Sequence, residues 1–195
     1  MEIRPATEKD AKALLDIYSY YVENTAISFE YDTPSLEEFT NRISNTLKKY
    51  PYLVASVDDK IVGYAYAGPF KTRRAYDHCV ETSVYVHKDY RKQGIGKALY
   101  EELQKALVAN GILNIYACIA VCNTEDEYLT NNSWEFHEHM GFTVAGRFHS
   151  CGRKFGNTYD MIWMEKMGSD SMDAQKNMII ENAALAALVS AQIQK

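Results

Sequence analysis

Arg91, Gly94 and Gly96 stand at the spacing R-x-x-G-x-G, inside the stretch VETSVYVHKDYRKQGIGKALYEEL that covers residues 80–103. An extended apolar run passes through a charged turn into a short glycine-bearing loop and then an amphipathic helix. Free backbone N–H groups at a helix start make an anion site, and glycines let a phosphate approach the backbone closely. The loop therefore suits a pyrophosphate, and Glu81 lies on the strand that feeds it. Two common nucleotide loops do not fit. A dinucleotide fingerprint needs a third glycine where Leu99 stands, and a Walker loop needs Ser or Thr where Ala98 follows Lys97. An ordinary strand–turn–helix corner with two glycines is the alternative reading.

The elements that must position this loop are legible around it. Residues 3–6 read as a strand, and Thr7-x-x-Asp10 as a helix start before an apolar stripe from Ala11 to Val22. Residues 24–30 form a loop, and Pro34-Ser35-x-x-Glu38 opens a second helix to about Lys49. Strands over 52–57 and 61–67 join at Asp58-Asp59-Lys60, and Gly68-Pro69 breaks the second. A strand over 78–86 leads into the glycine loop and a helix that Gly111 stops. The run 113–121 is continuously apolar, as in a strand covered on both faces. Residues 123–132 are loop-like, and Ser133 is placed to cap a short helix through Met140. Closing strands over 143–151 and 159–166 flank a turn at 152–157. After Lys166 the character changes. Residues 168–171 are linker-like, and Met178, Leu185, Leu188, Val189 and Ile193 form one helical apolar face, for packing on this domain or on a second subunit.

A chain of 195 residues suits one domain, 1–167, with an extension over 168–195. Its 47% hydrophobic and 24% charged residues can bury a core without staples. Fifteen tyrosines are scattered along the sequence and read as half-buried packing residues. The net charge of −5 argues against general nucleic-acid binding, so the basic clusters Lys71–Arg74 and Arg91–Lys97 serve local anions or are solvated turns. Cys79, Cys118, Cys122 and Cys151 show no zinc spacing and read as buried thiols; no metal is expected. With no secretory leader or membrane-spanning stretch, the expectation is a cytoplasmic protein with no membrane partner.

The order of elements, and the loop Arg91-Lys92-Gln93-Gly94-Ile95-Gly96, resemble the GNAT acetyltransferase superfamily and its Q/R-x-x-G-x-G/A signature. A closer likeness is to the phosphinothricin N-acetyltransferase family. It rests on TAISFE at 25–30, YAYAGPFK at 64–71, VETSVYV at 80–86, His137-Glu138 with Gly141-Phe142, and Phe155-Gly-Asn157. The resemblance covers roughly residues 1–167. It implies an α/β (α+β) domain with a mixed, mostly antiparallel sheet of about seven strands flanked by about four helices. It also implies acetyl-CoA as cosubstrate, a small amine acceptor of the phosphinothricin, methionine sulfone or methionine sulfoximine type, and a homodimer.

The resemblance carries site roles as well. Pantetheine would pair with backbone groups around Val84, Tyr85 and Val86. The pyrophosphate would sit on the N–H groups of Lys92, Gln93, Gly94, Ile95, Gly96 and Lys97. Arg91 and Lys97 add charge or remain solvated, Asn123 touches the cofactor, and Ser133 touches it or caps its helix. Glu81 is the general base that takes the proton of the acceptor ammonium. His137 is the acid for the departing thiolate, a group that steers the amine, or a structural histidine, and His139 is surface. Acceptor recognition falls to Phe29, the loop Lys71–Tyr76 and Thr82, with Arg73 or Arg74 gripping an acceptor carboxylate or phosphinate. The stretch Asn123–Ser133 is longer than in typical members and adds Glu125, Asp126 and Glu127. Those acids favour a cationic acceptor, a polyamine or protein N-terminus, or form only a solvated loop. A non-catalytic acyl-CoA-binding module would need the loop but neither Glu81 nor His137.

Overall fold

The computed structural model describes residues 1–167, and the expected linker and C-terminal helix lie outside the described residues. The order is β1 (Glu2–Pro5), α1 (Ala11–Asn24), α2 (Leu36–Leu47), β2 (Tyr52–Val57), β3 (Lys60–Pro69), β4 (Cys79–Val86), α3 (Ile95–Ala109), β5 (Asn114–Val121), α4 (Asn132–His139), β6 (Thr143–Lys154) and β7 (Asn157–Met167). All seven strands form one sheet in the order β1-β2-β3-β4-β5-β7-β6. Every neighbouring pair is antiparallel except β4–β5. The expected mixed α/β (α+β) architecture is the one observed.

Local chemistry explains most boundaries. The backbone N–H and hydroxyl of Thr7 both donate to Asp10, which also takes two bonds from Arg4, so a short 3-10 turn leads into α1. Ser35 Oγ accepts from Glu38 N at 3.1 Å and starts α2. Glu38 turns its carboxylate to Arg42, so only half of a capping box is made. Asp58 and Asp59 take positive φ angles of 49° and 61°, the conformation a two-residue hairpin needs.

Five expectations change. Gly68-Pro69 does not break β3: Gly68 pairs with Glu81 and Pro69 with Val80, because a proline at the last strand position forfeits no interior ladder bond. β6 does not end at residue 151. His149, Ser150 and Cys151 bulge opposite Asp160, whose Oδ1 accepts from Ser150 N at 2.7 Å, and the strand resumes to Lys154 before a tight turn at Phe155-Gly156. The tyrosines are not merely half-buried. Tyr18, Tyr21, Tyr52, Tyr64, Tyr66 and Tyr85 gather into one ring cluster under α1 and α2. Finally, β5 is covered on one face only over its first half. Ile115 and Ala117 are buried under α3, while Cys118 is exposed, because α1 and α2 pack on β2, β3 and β4 and stop short of β5. The same gap leaves Cys151 exposed and Cys79 and Cys122 half-buried, against the expectation of buried thiols.

Candidate active site

β4 and β5 run parallel for only three pairs, from Cys79 with Asn114 to Glu81 with Tyr116. Beyond this point β4 stays with β3 while β5 continues along β7, so the sheet splits. A groove of about 390 Å³ fills the split, walled by Val84 and Val86 of β4, the loop from Arg91 to Lys97, and Ser133 and Phe136 of α4. Tyr21 donates its hydroxyl to the Val86 carbonyl, which removes that one acceptor from the β4 edge.

At the far end of the groove, Lys92 and Gly94 adopt positive φ angles of 60° and 81° and turn the chain into α3. The first helical bond is Ala98 N to Gly94 O, so the N–H groups of Ile95, Gly96 and Lys97 have no helical acceptor. A methyl group on Gly96 would stand 3.5 Å from the Phe136 ring and 3.7 Å from Val86, across the groove itself. An anion seat and a glycine-floored cradle therefore occur together, which suits a pyrophosphate with an extended arm. Ile95 contributes only backbone, because its side chain is buried under the sheet. Gln93 turns back to Asp89 O and lines no part of the groove. Arg91 rests on the rings of Tyr20 and Tyr21, at 5.1 and 5.0 Å, and Lys97 lies 3.8 Å from Glu101.

A smaller cavity of about 50 Å³ lies at the fork, lined by residues including Thr82, Ser83, Val84, Tyr85, Cys118 and His137. Here the chain buries a line of polar groups. His137 Nδ1 lies 2.7 Å from the Ser133 carbonyl, its Nε2 lies 2.9 Å from the Tyr100 hydroxyl, and that hydroxyl lies 2.8 Å from Thr82 Oγ1. A carbonyl can only accept, so Nδ1 carries the hydrogen and Nε2 accepts from Tyr100. Burial also pushes the His137 pKa down to about 4. A neutral ring with Nε2 already accepting has no proton to give to a departing group, so His137 does not fit the acid. Thr82 is only 4% exposed and belongs to this network rather than to an acceptor surface. Ser133 sits inside α4, whose N-cap is Asn131, and it lines both cavities instead of capping.

The residues expected to meet the acceptor come from further segments. Glu81 sits at the last paired position of the fork and, by strand alternation, on the sheet face opposite Thr82. Burial raises its pKa and the positive charge of Lys71 opposes that rise. Lys71 Nζ lies 4.6 Å from the Phe70 ring centre and 5.2 Å from that of Trp163, on the face that α1 and α2 leave open. Arg73 and Arg74 are exposed and make no ion pair among the described residues. Phe29 packs on Tyr159 and over Gly152. Asn123 lines neither cavity: its amide oxygen takes Arg147 Nη2 at 2.6 Å, because Arg147 is drawn to that edge by Asp160.

The acidic stretch is largely committed to its own loop. Glu125 accepts from Asn131 N, and Asp126 accepts from the backbone of Tyr128 and Leu129 and from Asn157 and Tyr159. Sequence reading passed over Tyr100, Ile27 and Phe136. Tyr100 is one more apolar-stripe residue of α3 until the fold sets its hydroxyl between Thr82 and His137. Ile27, which lines both cavities, lies in a loop with no local signal. His139, expected at the surface, is exposed and also lines the groove.

The family described as "Acetyltransferase (GNAT) domain" matches residues 3–163. Over 161 residues, the chain is 35% identical to phosphinothricin N-acetyltransferase of Streptomyces viridochromogenes, covering 83% of this chain and 84% of that one. A solved GNAT superfamily phosphinothricin acetyltransferase from Sinorhizobium meliloti, in complex with AcCoA, superposes with a TM-score of 0.79 at 32% identity, covering 87% of this chain and 89% of that one. A ribosomal-protein-alanine N-acetyltransferase from Brucella melitensis superposes with a TM-score of 0.79 at 34% identity, covering 86% of this chain and 100% of that one.

Proposed function

The chain belongs to the GNAT acetyltransferase family, and from that premise we propose that it carries an acetyl group from acetyl-CoA to the primary amine of a small amino-acid-like acceptor, of the phosphinothricin, methionine sulfone or methionine sulfoximine type. The observation that carries this reading is the split between β4 and β5, with an anion-binding loop along the groove it opens and a half-buried carboxylate, Glu81, at the last paired position of the fork. Acetyl-CoA supplies a thioester that an amine can attack. The N–H groups of Ile95, Gly96 and Lys97 hold its pyrophosphate, and the open β4 edge at Val84 and Tyr85 receives its amide arm. Glu81 takes the proton of the acceptor ammonium, directly or through a water; a pKa raised by burial brings a carboxylate nearer to that task. His137 holds the fork in shape through Tyr100 and Ser133. Lys71, with Arg73 and Arg74 on the same loop, supplies positive charge for the acceptor's carboxylate or phosphinate.

The test is thiol release from acetyl-CoA over a panel of phosphinothricin, methionine sulfone, methionine sulfoximine, ordinary amino acids, polyamines and short peptides. Turnover on the sulfone-like and phosphinate-like acids is expected. Turnover confined to polyamines, or none on any amine, overturns the reading. A second acceptor, the N-terminal alanine of a protein, is favoured by the likeness to the Brucella enzyme, and turnover on alanine-terminated peptides alone would select it. The cytoplasm as its compartment and a homodimer as its assembly belong to the same reading. The long edge strand β6, with Val144 and Phe148 exposed, is where a second copy has room to pair. A single-chain mass by light scattering would remove the dimer.

A further inference from the structure

Lys154 is only 2% exposed, yet among the described residues it pairs with no carboxylate. Its Nζ donates to three backbone carbonyls: Val22 at 2.6 Å, Thr25 at 2.9 Å and Ser28 at 2.7 Å. An ammonium has three N–H donors and no acceptor, so this set satisfies it completely. Val22 lies in the last turn of α1, where carbonyls lack helical partners and a cation is favoured. Burial pushes the Lys154 pKa down, against a small opposing effect of Glu30. A buried cation is retained here in place of an apolar side chain because it is the knot of a loop, and the loop is the one that reaches the site.

Residues 25–31 join α1 to the segment before α2. Ile27 lines both the groove and the fork cavity, and Phe29 packs beside Tyr159 and Ala120 on the open side of β5. The loop has little regular structure of its own. It is tied down by α1 and α2, where Tyr18 bonds Ser28 Oγ, Thr25 Oγ1 donates to Tyr21 O and Arg42 reaches Glu30, and by β6 and its turn. Gly152 seats Phe29 so closely that a Cβ there would come within 2.3 Å of the ring. Tyr31 donates to the Arg153 carbonyl, and Lys154 takes the three carbonyls above. Ala26 N bonds Tyr128 O, and Tyr128 stacks on Phe155 of the same turn. Beyond the bulge pinned by Asp160, Gly152 and Lys154 are the buried residues of the strand.

We infer that Lys154 is a positioning residue for the acceptor: by gripping the carbonyls of Val22, Thr25 and Ser28 it fixes loop 25–31, and so places Ile27 and Phe29 at the fork where amine and thioester meet. This rests on the acetyltransferase reading above. Steady-state kinetics and amide hydrogen exchange test it together, on Lys154→Met and Gly152→Ala in the full chain, with whichever acceptor of the panel the unaltered protein turns over. Lys154→Met is expected to raise the acceptor KM by about tenfold while the acetyl-CoA KM moves by no more than about threefold, since the phosphate end is held by α3. Exchange across residues 22–31 should quicken, while that of 95–109 stays as it was. Gly152→Ala should raise the acceptor KM by displacing Phe29 and leave exchange across 22–28 unchanged.

An unchanged acceptor KM in Lys154→Met with faster exchange would show that loop order is irrelevant to the acceptor and overturn the inference. Unchanged exchange in 22–31 would overturn the clamp itself. If Lys154→Met does not fold, Gly152→Ala decides: an acceptor KM within twofold of the unaltered value overturns the positioning. An unaltered protein that turns over nothing would fail the acetyltransferase reading instead, and the exchange comparison would still judge the clamp.

Discussion

The two ends of the groove are built in opposite ways. The end we assign to the phosphates is local: one turn of backbone, from Lys92 to Lys97, carries its N–H groups, with a glycine at Gly94 and at Gly96. The end we propose for the acceptor is remote. It draws Ile27 and Phe29 from one loop, Lys71 from another, Glu81 from β4, and Gly152 and Lys154 from β6, whose clamp bonds join residues 126 to 132 positions apart. A site made of backbone within one turn can change only by changing that turn. A site made of side chains from many elements can change its acceptor through any of them. The difference implies that substitutions should separate: those at the loop act on acetyl-CoA, those at the fork on the acceptor and the chemistry.

The severest break of that separation would come from Glu81. Glu81→Gln keeps the shape of the side chain and removes the base, so kcat should fall by about 10² to 10⁴ with the acetyl-CoA KM unchanged. A loss of less than about tenfold would remove Glu81 from the chemistry. At the other end, Gly96→Val fills the space between Phe136 and Val86. It should raise the acetyl-CoA KM by about tenfold or more while the acceptor KM moves little. Equal changes in both KM values would show that the two ends are not independent.

The same contrast separates what is legible in the sequence from what is not. The glycine loop was legible because its spacing, turn and helix start are contiguous in sequence. The position of Glu81 is legible because it stands on the strand feeding that loop. Asn123 is not legible in this way, because adjacency in sequence does not say which way a side chain turns: its amide oxygen is taken by Arg147. Thr82 reads as an acceptor contact, and the three readings of His137 stay open, because Tyr100, one α3 stripe residue among several, carries no sign that it will bridge them. Lys154 resembled any lysine before a turn. Its burial depends on carbonyls 126 to 132 positions away in the chain, which no local pattern announces.

Lys71 sharpens the comparison at the acceptor end. Its positive charge opposes the burial that raises the Glu81 pKa, so Lys71→Met should move the acid limb of kcat/KM to higher pH. If Lys71 also meets the acceptor's anionic group, the acceptor KM should rise by about three- to tenfold. A pH profile that does not move would separate Lys71 from Glu81, whatever happens to KM.

The smallest effects concern two carboxylates of opposite sign. Asp160 accepts from Ser150 N and Arg147, which holds its pKa at about 2. Its ordinary unfolded value is about 3.9, so the unfolded chain binds more protons between these pH values. The stability it gives is complete above about pH 4 and is lost as pH falls toward 2. Asp160→Asn should therefore lower Tm by about 2–4 °C at pH 7 and by progressively less below pH 4. Glu81 runs the other way. Its folded pKa is raised, chiefly by burial, so ionising it costs stability as pH rises through the ordinary carboxylate range. Glu81→Gln should raise Tm by about 1–3 °C at pH 7 and leave it unchanged near pH 3. Melting curves of both variants from pH 2 to 8 check the pair. A Glu81→Gln protein less stable than the parent at pH 7 would mean that the carboxylate serves the fold, as Asp160 does, and would weaken the case that its burial is kept for the reaction.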